Sequence, residues 1–202
     1  MRESGILMHI TSLPAPYGIG TMGKDAYAFV DFLVRAGQRY WQILPLTPTG
    51  YGDSPYQSLG ACAGNHYLID LDRLADEGLL KKEEIQDIPW GSNPARVDFG
   101  AMYAHRMNVL RQAFQRFTPD GAYETFVEQN RNWLEDYALF TALKDTLGGK
   151  PWLDWPEALR LRKADALAEK SRELSDEIRL QYFVQYEFDR QWKALRSYAN
   201  AK

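Results

Sequence analysis

Two apolar runs separated by one amphipathic helix open the chain, and that order restricts its fold more than any other feature. Residues 5–10 (GILMHI) form a short apolar run that stops at a Thr-Ser-Leu-Pro turn. Residues 25–36 carry Ala26, Phe29, Val30 and Leu33 at helical spacing and end at Gly37, a residue suited to a left-handed cap. Residues 39–46, apolar and rich in aromatics, read as a second and buried strand. Strand, helix and strand joined by short links imply a parallel pair with a right-handed crossover.

Beyond residue 70 the pattern changes to helix. Spans 71–78, 81–86, 100–117, 123–147 and 163–199 carry helical periodicity. The last is charged early and aromatic later, and its stripe from Tyr182 to Trp192 is most simply a core face. The chain therefore divides near residue 72, with a βαβ part over 1–72 and a mainly helical part over 73–202. A closed eight-stranded α/β barrel needs eight strands and about 250 residues. Two strands are legible here, so the chain reads as the opening of a longer protein, truncated after its first strands.

Bulk numbers remove several function classes. A formal charge of −3 leaves no basic field for nucleic acid or an anionic membrane. The single cysteine, Cys62, excludes an internal disulfide and fits a reducing compartment. No apolar stretch approaches the ~20 residues that cross a bilayer, and the first residues lack a signal-peptide pattern. These features describe a soluble, cytoplasmic protein. The three histidines, His9, His66 and His105, are isolated, so no metal site is expected. No phosphate-binding or dinucleotide glycine motif follows a strand.

The chemistry concentrates in residues 47–58, TPTGYGDSPYQS, directly after the second strand. Strand ends feeding such loops are where α/β proteins build sites, since a rigid scaffold there holds a polar, shaped surface. Tyr51 lies between two glycines and Tyr56 follows a proline, so both rings can be presented as flat faces with a hydrogen-bonding tip. Such faces suit a sugar ring. The bland alternative for both tyrosines is loop packing. For Asp53 it is a turn carboxylate accepting backbone N–H groups near Gly52 and Ser54, and for Asp70 and Asp72 it is capping of the next helix.

Several ordered blocks resemble one family. Tyr40-Trp41-Gln42, Leu44-Pro45-Leu46 and Pro48 to Ser58 are similar to the N-terminal region of 4-α-glucanotransferases, also called amylomaltases or disproportionating enzymes. Upstream, Thr11-Ser12-Leu13-Pro14 and Pro16 to Gly20 agree. Downstream, Ala63-Gly64-Asn65, Tyr67 to Leu71, Val97 to Gly100, Trp133 to Phe140 and Arg190-Gln191-Trp192 follow in order. His66 stands where the family more often has proline, and Phe99 where tyrosine is common.

The resemblance implies a partial (β/α)8 (TIM) barrel with an inserted helical subdomain, from a retaining enzyme that moves α-1,4-glucan segments between maltodextrins. It implies no cofactor, and a glucan partner rather than nucleic acid or membrane. Ser54 and Tyr56 match positions lining the main glucan subsites, and Tyr51 and Tyr103 match a secondary glucan site. Retaining transfer needs two carboxyl groups about 5–5.5 Å apart. The family's catalytic carboxylates come from later strands without a counterpart here, so no catalytic residue is expected in this chain. Two other classes remain open: a non-catalytic glucan-binding module, and a helical interaction protein carrying a βαβ cap.

Overall fold

The computed structural model describes residues 2–50 and 52–202. Strand β1 (Gly5–Leu7) pairs in parallel with β2 (Tyr40–Gln42), in the register Gly5 to Tyr40, Ile6 to Trp41 and Leu7 to Gln42. Helix α1 (Lys24–Arg35) joins them and stops at Gly37, whose φ of 67° a residue with a Cβ adopts only at a cost. Both strands are shorter than the apolar runs suggest. Residues 10–12 leave the ladder as a 3-10 turn, and Pro45 has no N–H to extend it. The strands are also more open than the expected buried pair, with Leu7 56% and Tyr40 59% exposed. Each has one partner strand among the described residues, and one ladder cannot cover both faces of a strand.

The remaining helices are α2 (Leu71–Asp76), α3 (Glu83–Gln86), α4 (Phe99–Arg116), α5 (Gly121–Thr146), α6 (Glu157–Arg160), α7 (Ala164–Glu173) and α8 (Ser175–Asn200). Side chains start three of them: Asp70, Asp98 and Asp120 accept the N–H groups of Arg73, Ala101 and Tyr123. Asp70 is thus the cap its position suggested. Asp72 instead accepts the Tyr17 hydroxyl at 2.6 Å. The expected single helix over 163–199 is broken at Leu174. There the last turn of α7 closes with the Leu174 N–H on the Lys170 carbonyl, and α8 begins at the next residue. Leu174 is buried, packing in an apolar cluster with Ala142, Leu143, Trp155 and Leu159.

Two compact units result. One comprises residues up to Thr118 together with Glu187–Lys202, and the other comprises Pro119–Tyr186. In the first, Ile10, Met22, Leu68, Ile69, Leu71, Leu74, Met102 and Leu110 are fully buried. In the second, α5 buries Phe126, Leu134 and Ala138, and Phe140 stacks on Trp155 at 5.3 Å between ring centroids. The aromatic stripe expected from Tyr182 to Trp192 of α8 is core at its centre, where Phe183, Tyr186 and Phe188 are buried, and half-buried at its ends, Tyr182 and Trp192.

Two polar groups organise the core of the first unit. Gln191, fully buried on α8, accepts the Asp70 N–H at 2.7 Å and donates to the Asp70 carbonyl at 3.4 Å. Arg106, fully buried on α4, donates through Nη2 to the Tyr67 carbonyl at 2.9 Å and to the Ile69 carbonyl. Burial draws the pKa of that guanidinium down to about 10. Buried carbonyls without donors are costly, so these two residues fix the path of segment 65–70.

Candidate functional site

Parallel pairing places the C-terminal ends of β1 and β2 at one edge, and the candidate residues follow from that edge. The Met8 N–H donates to the Gln42 carbonyl at 3.0 Å, and Trp41 Nε1 donates to the Met8 carbonyl at 2.7 Å, tying the two exits together. After β2 the chain runs to Leu46, whose carbonyl accepts the Asn65 N–H at 2.7 Å. Between these anchors, residues 47–58 double back on themselves.

That reversal is held mostly by its own backbone. Gly50 N–H donates to the Gln57 carbonyl at 2.8 Å, and Thr49 and Ser58 form an antiparallel bridge. Inside the turn, Asp53 N–H reaches the Gly50 carbonyl at 3.1 Å and Gln57 N–H reaches the Ser54 carbonyl at 3.0 Å. Ser54 Oγ accepts the Tyr56 N–H at 3.3 Å. Closing so tight a loop takes two consecutive left-handed residues, Gly52 at φ 87° and Asp53 at φ 56°. Glycine takes that conformation freely, and aspartate is among the few side-chain residues that tolerate it.

The turn presents Tyr56 outward, 73% exposed, with Ser54 half-buried beside it. At that exposure the Tyr56 ring is not packed against the described residues. Tyr51 lies outside the described residues. Tyr103, on the second turn of α4 and 56% exposed, donates its hydroxyl to Asp53 Oδ1 at 2.5 Å. Partial burial, and then the Asp53 carboxylate it bonds, push the Tyr103 phenol up to about 12. Asp53 is therefore more than a turn carboxylate: its side chain joins the loop to α4 across fifty residues of sequence.

Tyr103 rests on a built support. Its ring meets Tyr67 edge-on at 6.2 Å, and Tyr67 is only 3% exposed. Asn65 Oδ1 accepts the Tyr67 N–H at 2.9 Å, Arg106 holds the Tyr67 carbonyl, and Phe99 packs on the same ring at 6.4 Å. His66 lies over Tyr67 at 4.2 Å between ring centroids. Burial, and next the Arg106 charge, hold the His66 imidazole far below its ordinary range. Two further buried polar atoms on the segments leaving the strands, His9 Nδ1 and Thr49 Oγ1, have no hydrogen-bond partner among the described residues.

Chemically the arrangement is a recognition surface. It offers one exposed tyrosine ring, a neighbouring hydroxyl, and a second exposed tyrosine held through Asp53. No cluster of three His, Cys, Asp or Glu side chains suited to a metal ion occurs among the described residues. Among the described residues no helix is long and apolar enough to cross a membrane. The structure joins Tyr103 to the loop bearing Ser54 and Tyr56, a link that sequence spacing did not reveal. Arg106 was also missed, although its place four residues after Met102 and four before Leu110 puts it on the buried stripe of α4.

Known proteins are similar to this chain in sequence and in fold. A family model described as 4-alpha-glucanotransferase matches residues 8–202. The 4-alpha-glucanotransferase of Thermus thermophilus is 49% identical over 206 residues, covering 99% of this chain and 40% of the relative. That of Clostridium butyricum is 46% identical over 197 residues, covering 96% of this chain and 40% of the relative. The solved amylomaltase from Streptococcus agalactiae in complex with acarbose superposes with a TM-score of 0.95 at 45% identity. That match covers 100% of this chain and 41% of the solved one. The chain thus spans about 40% of the length of these relatives.

Proposed function

The chain belongs to the 4-alpha-glucanotransferase family, and on that premise we propose that it forms the glucan-positioning part of an enzyme transferring α-1,4-glucan segments between maltodextrins. Residues 1–72 then supply the opening βαβ of a (β/α)8 barrel and 73–202 the mainly helical part. Residues 73–118 and 187–202 share one compact unit with the βαβ residues, and only Pro119–Tyr186 forms a unit of its own. Ser54 and Tyr56 line the main glucan subsites, while Tyr51 and Tyr103 bind glucan at a secondary position. The observation that carries this assignment is the outward Tyr56 ring on a loop whose backbone is closed by its own hydrogen bonds. A surface fixed before sugar arrives loses less entropy on binding, and the tyrosine face matches the apolar face of a pyranose ring. The acarbose complex of the Streptococcus agalactiae amylomaltase supports the same ligand class for this chain.

In this scheme the chain's residues bind and orient sugar and exclude water beside it. A retaining mechanism uses a carboxylate nucleophile and a carboxyl acid/base about 5–5.5 Å apart, and no residue of this chain is assigned either role. Holding the acceptor in register is itself a catalytic contribution, because a displacement of about 1 Å can cost ~100-fold in rate.

Tyr56→Ala tests the assignment. The ring is exposed, so the stability read from thermal melting should stay within the ~0.5 kcal/mol typical of surface substitutions. Maltoheptaose affinity, measured by calorimetry, should drop about tenfold, the equivalent of ~1.4 kcal/mol of lost stacking. Stability and affinity falling together would make Tyr56 a packing residue and remove the basis of the assignment.

A further inference from the structure

Asp53 combines a left-handed backbone conformation with a side-chain partner outside its own loop. Its φ of 56° lies in the left-handed region, which costs a side-chain residue free energy unless its surroundings hold it there. The residue sits inside the turn, one position before Ser54 and three before Tyr56. Its carboxylate leaves the loop and takes the Tyr103 hydroxyl at 2.5 Å, while its own N–H closes the turn on the Gly50 carbonyl at 3.1 Å. Tyr103 cannot follow the loop passively, since its ring is seated edge-on against the buried Tyr67.

We propose that the Tyr103–Asp53 hydrogen bond is a latch that makes Asp53 a positioning residue for glucan, coupling the sugar position at Tyr103 to the one formed by Ser54 and Tyr56. This rests on the glucan-binding assignment of those residues, and it adds a residue and an interaction that the assignment lacks. With the latch closed, the left-handed turn persists and Ser54 and Tyr56 stay where sugar meets them. With it open, nothing outside the turn holds residue 53 at its left-handed angles, and Gly50, Ser54 and Gln57 lose their mutual register. A glucan segment lying against Tyr103 touches the donor of the latch, so its binding is transmitted to the loop. Coupling of this kind is reciprocal.

Three substitutions separate the parts. Tyr103→Phe keeps the ring on Tyr67 and removes the donor. Asp53→Gly removes the acceptor while taking φ 56° without strain. Asp53→Asn keeps an acceptor oxygen and also tolerates that φ.

Amide hydrogen exchange on the 202-residue chain reads the latch without any ligand. Tyr103→Phe and Asp53→Gly should each speed exchange at Gly50 and Gln57 about five-fold, as expected for one exposed hydrogen bond. The double variant should be no faster, Asp53→Asn should restore wild-type protection, and Leu68 should be unchanged in all. Maltoheptaose affinity should fall about five-fold in Tyr103→Phe and in Asp53→Gly, and recover in Asp53→Asn. Unchanged exchange in Tyr103→Phe, or effects that multiply in the double variant, would overturn the latch. Absence of maltoheptaose binding by the wild type, with the exchange pattern intact, would instead overturn the glucan assignment and leave the latch standing.

Discussion

Replacing Asp70 by alanine should be among the most damaging single changes in the first unit. The carboxylate makes two bonds: Oδ1 accepts the Arg73 N–H at 3.0 Å, capping α2, and Oδ2 accepts the Thr21 hydroxyl at 2.6 Å. The residue is 6% exposed, so neither group is easily rescued by water. Losing an aspartate cap costs about 1 kcal/mol. Losing a buried hydrogen bond to a charged group costs about 1.5–3 kcal/mol. The two together give about 3 kcal/mol, a large fraction of the 5–15 kcal/mol that holds a domain folded.

Urea unfolding followed by tryptophan fluorescence measures this. With a urea dependence of about 2 kcal/mol/M, the midpoint should fall by about 1.5 M. Thr21→Val removes only the hydroxyl partner and should cost about half as much, leaving the cap. In the double variant the Thr21 term should vanish, because its partner is already gone. A midpoint shift below about 0.3 M for Asp70→Ala, or losses that add fully in the double variant, would refute the account.

Two further outcomes follow from packing and charge. A Cβ at Gly64 would overlap the ring of Phe188, which is itself buried, so Gly64→Ala should cost about 1–3 kcal/mol of stability by thermal melting, with Phe188→Leu partly restoring it. Burial disfavours the charged His66 imidazole, so below its ordinary pKa the unfolded chain binds a proton that the folded chain refuses. Stability should therefore decline as pH falls from 6.5, by up to about 1.4 kcal/mol per unit. His66→Gln should flatten that decline in urea titrations between pH 6.5 and 5; an unchanged slope would assign the acid sensitivity to other groups.

The parts of the fold that were legible in sequence are those in which neighbours along the chain decide the outcome. The crossover pair, the stop at Gly37, the cap at Asp70 and the helices over 100–117 and 123–147 follow from periodicity and local hydrogen-bonding chemistry, and the structure places these helices at Phe99–Arg116 and Gly121–Thr146. Where a decision belonged to distant partners, local pattern misled or was silent. Residues 43–46 are as apolar as the paired segment, but whether they join a ladder depends on what lies alongside them, and β1 has already turned away by Ile10. Leu174 carries no helix-breaking signal; its burial with Trp155 and Leu159 accompanies a break that local pattern does not announce.

The candidate site divides in the same way. The composition of residues 47–58 announced a presenting loop, and the outward Tyr56 agrees with it. The contact that ties this loop to α4 is spread over three separated pieces of chain, Asp53, Tyr67 and Tyr103, and no spacing rule links them. Arg106 sits one step further back. A charged residue on a helix is ordinarily read as solvent-facing, yet two peptide carbonyls of segment 65–70 need a donor in a place water does not reach, and a long guanidinium is one of the few groups able to supply it. The exposed tyrosine is thus the easiest part to read from sequence. The residues that hold it still are hidden, because they answer to backbone groups far away in the chain.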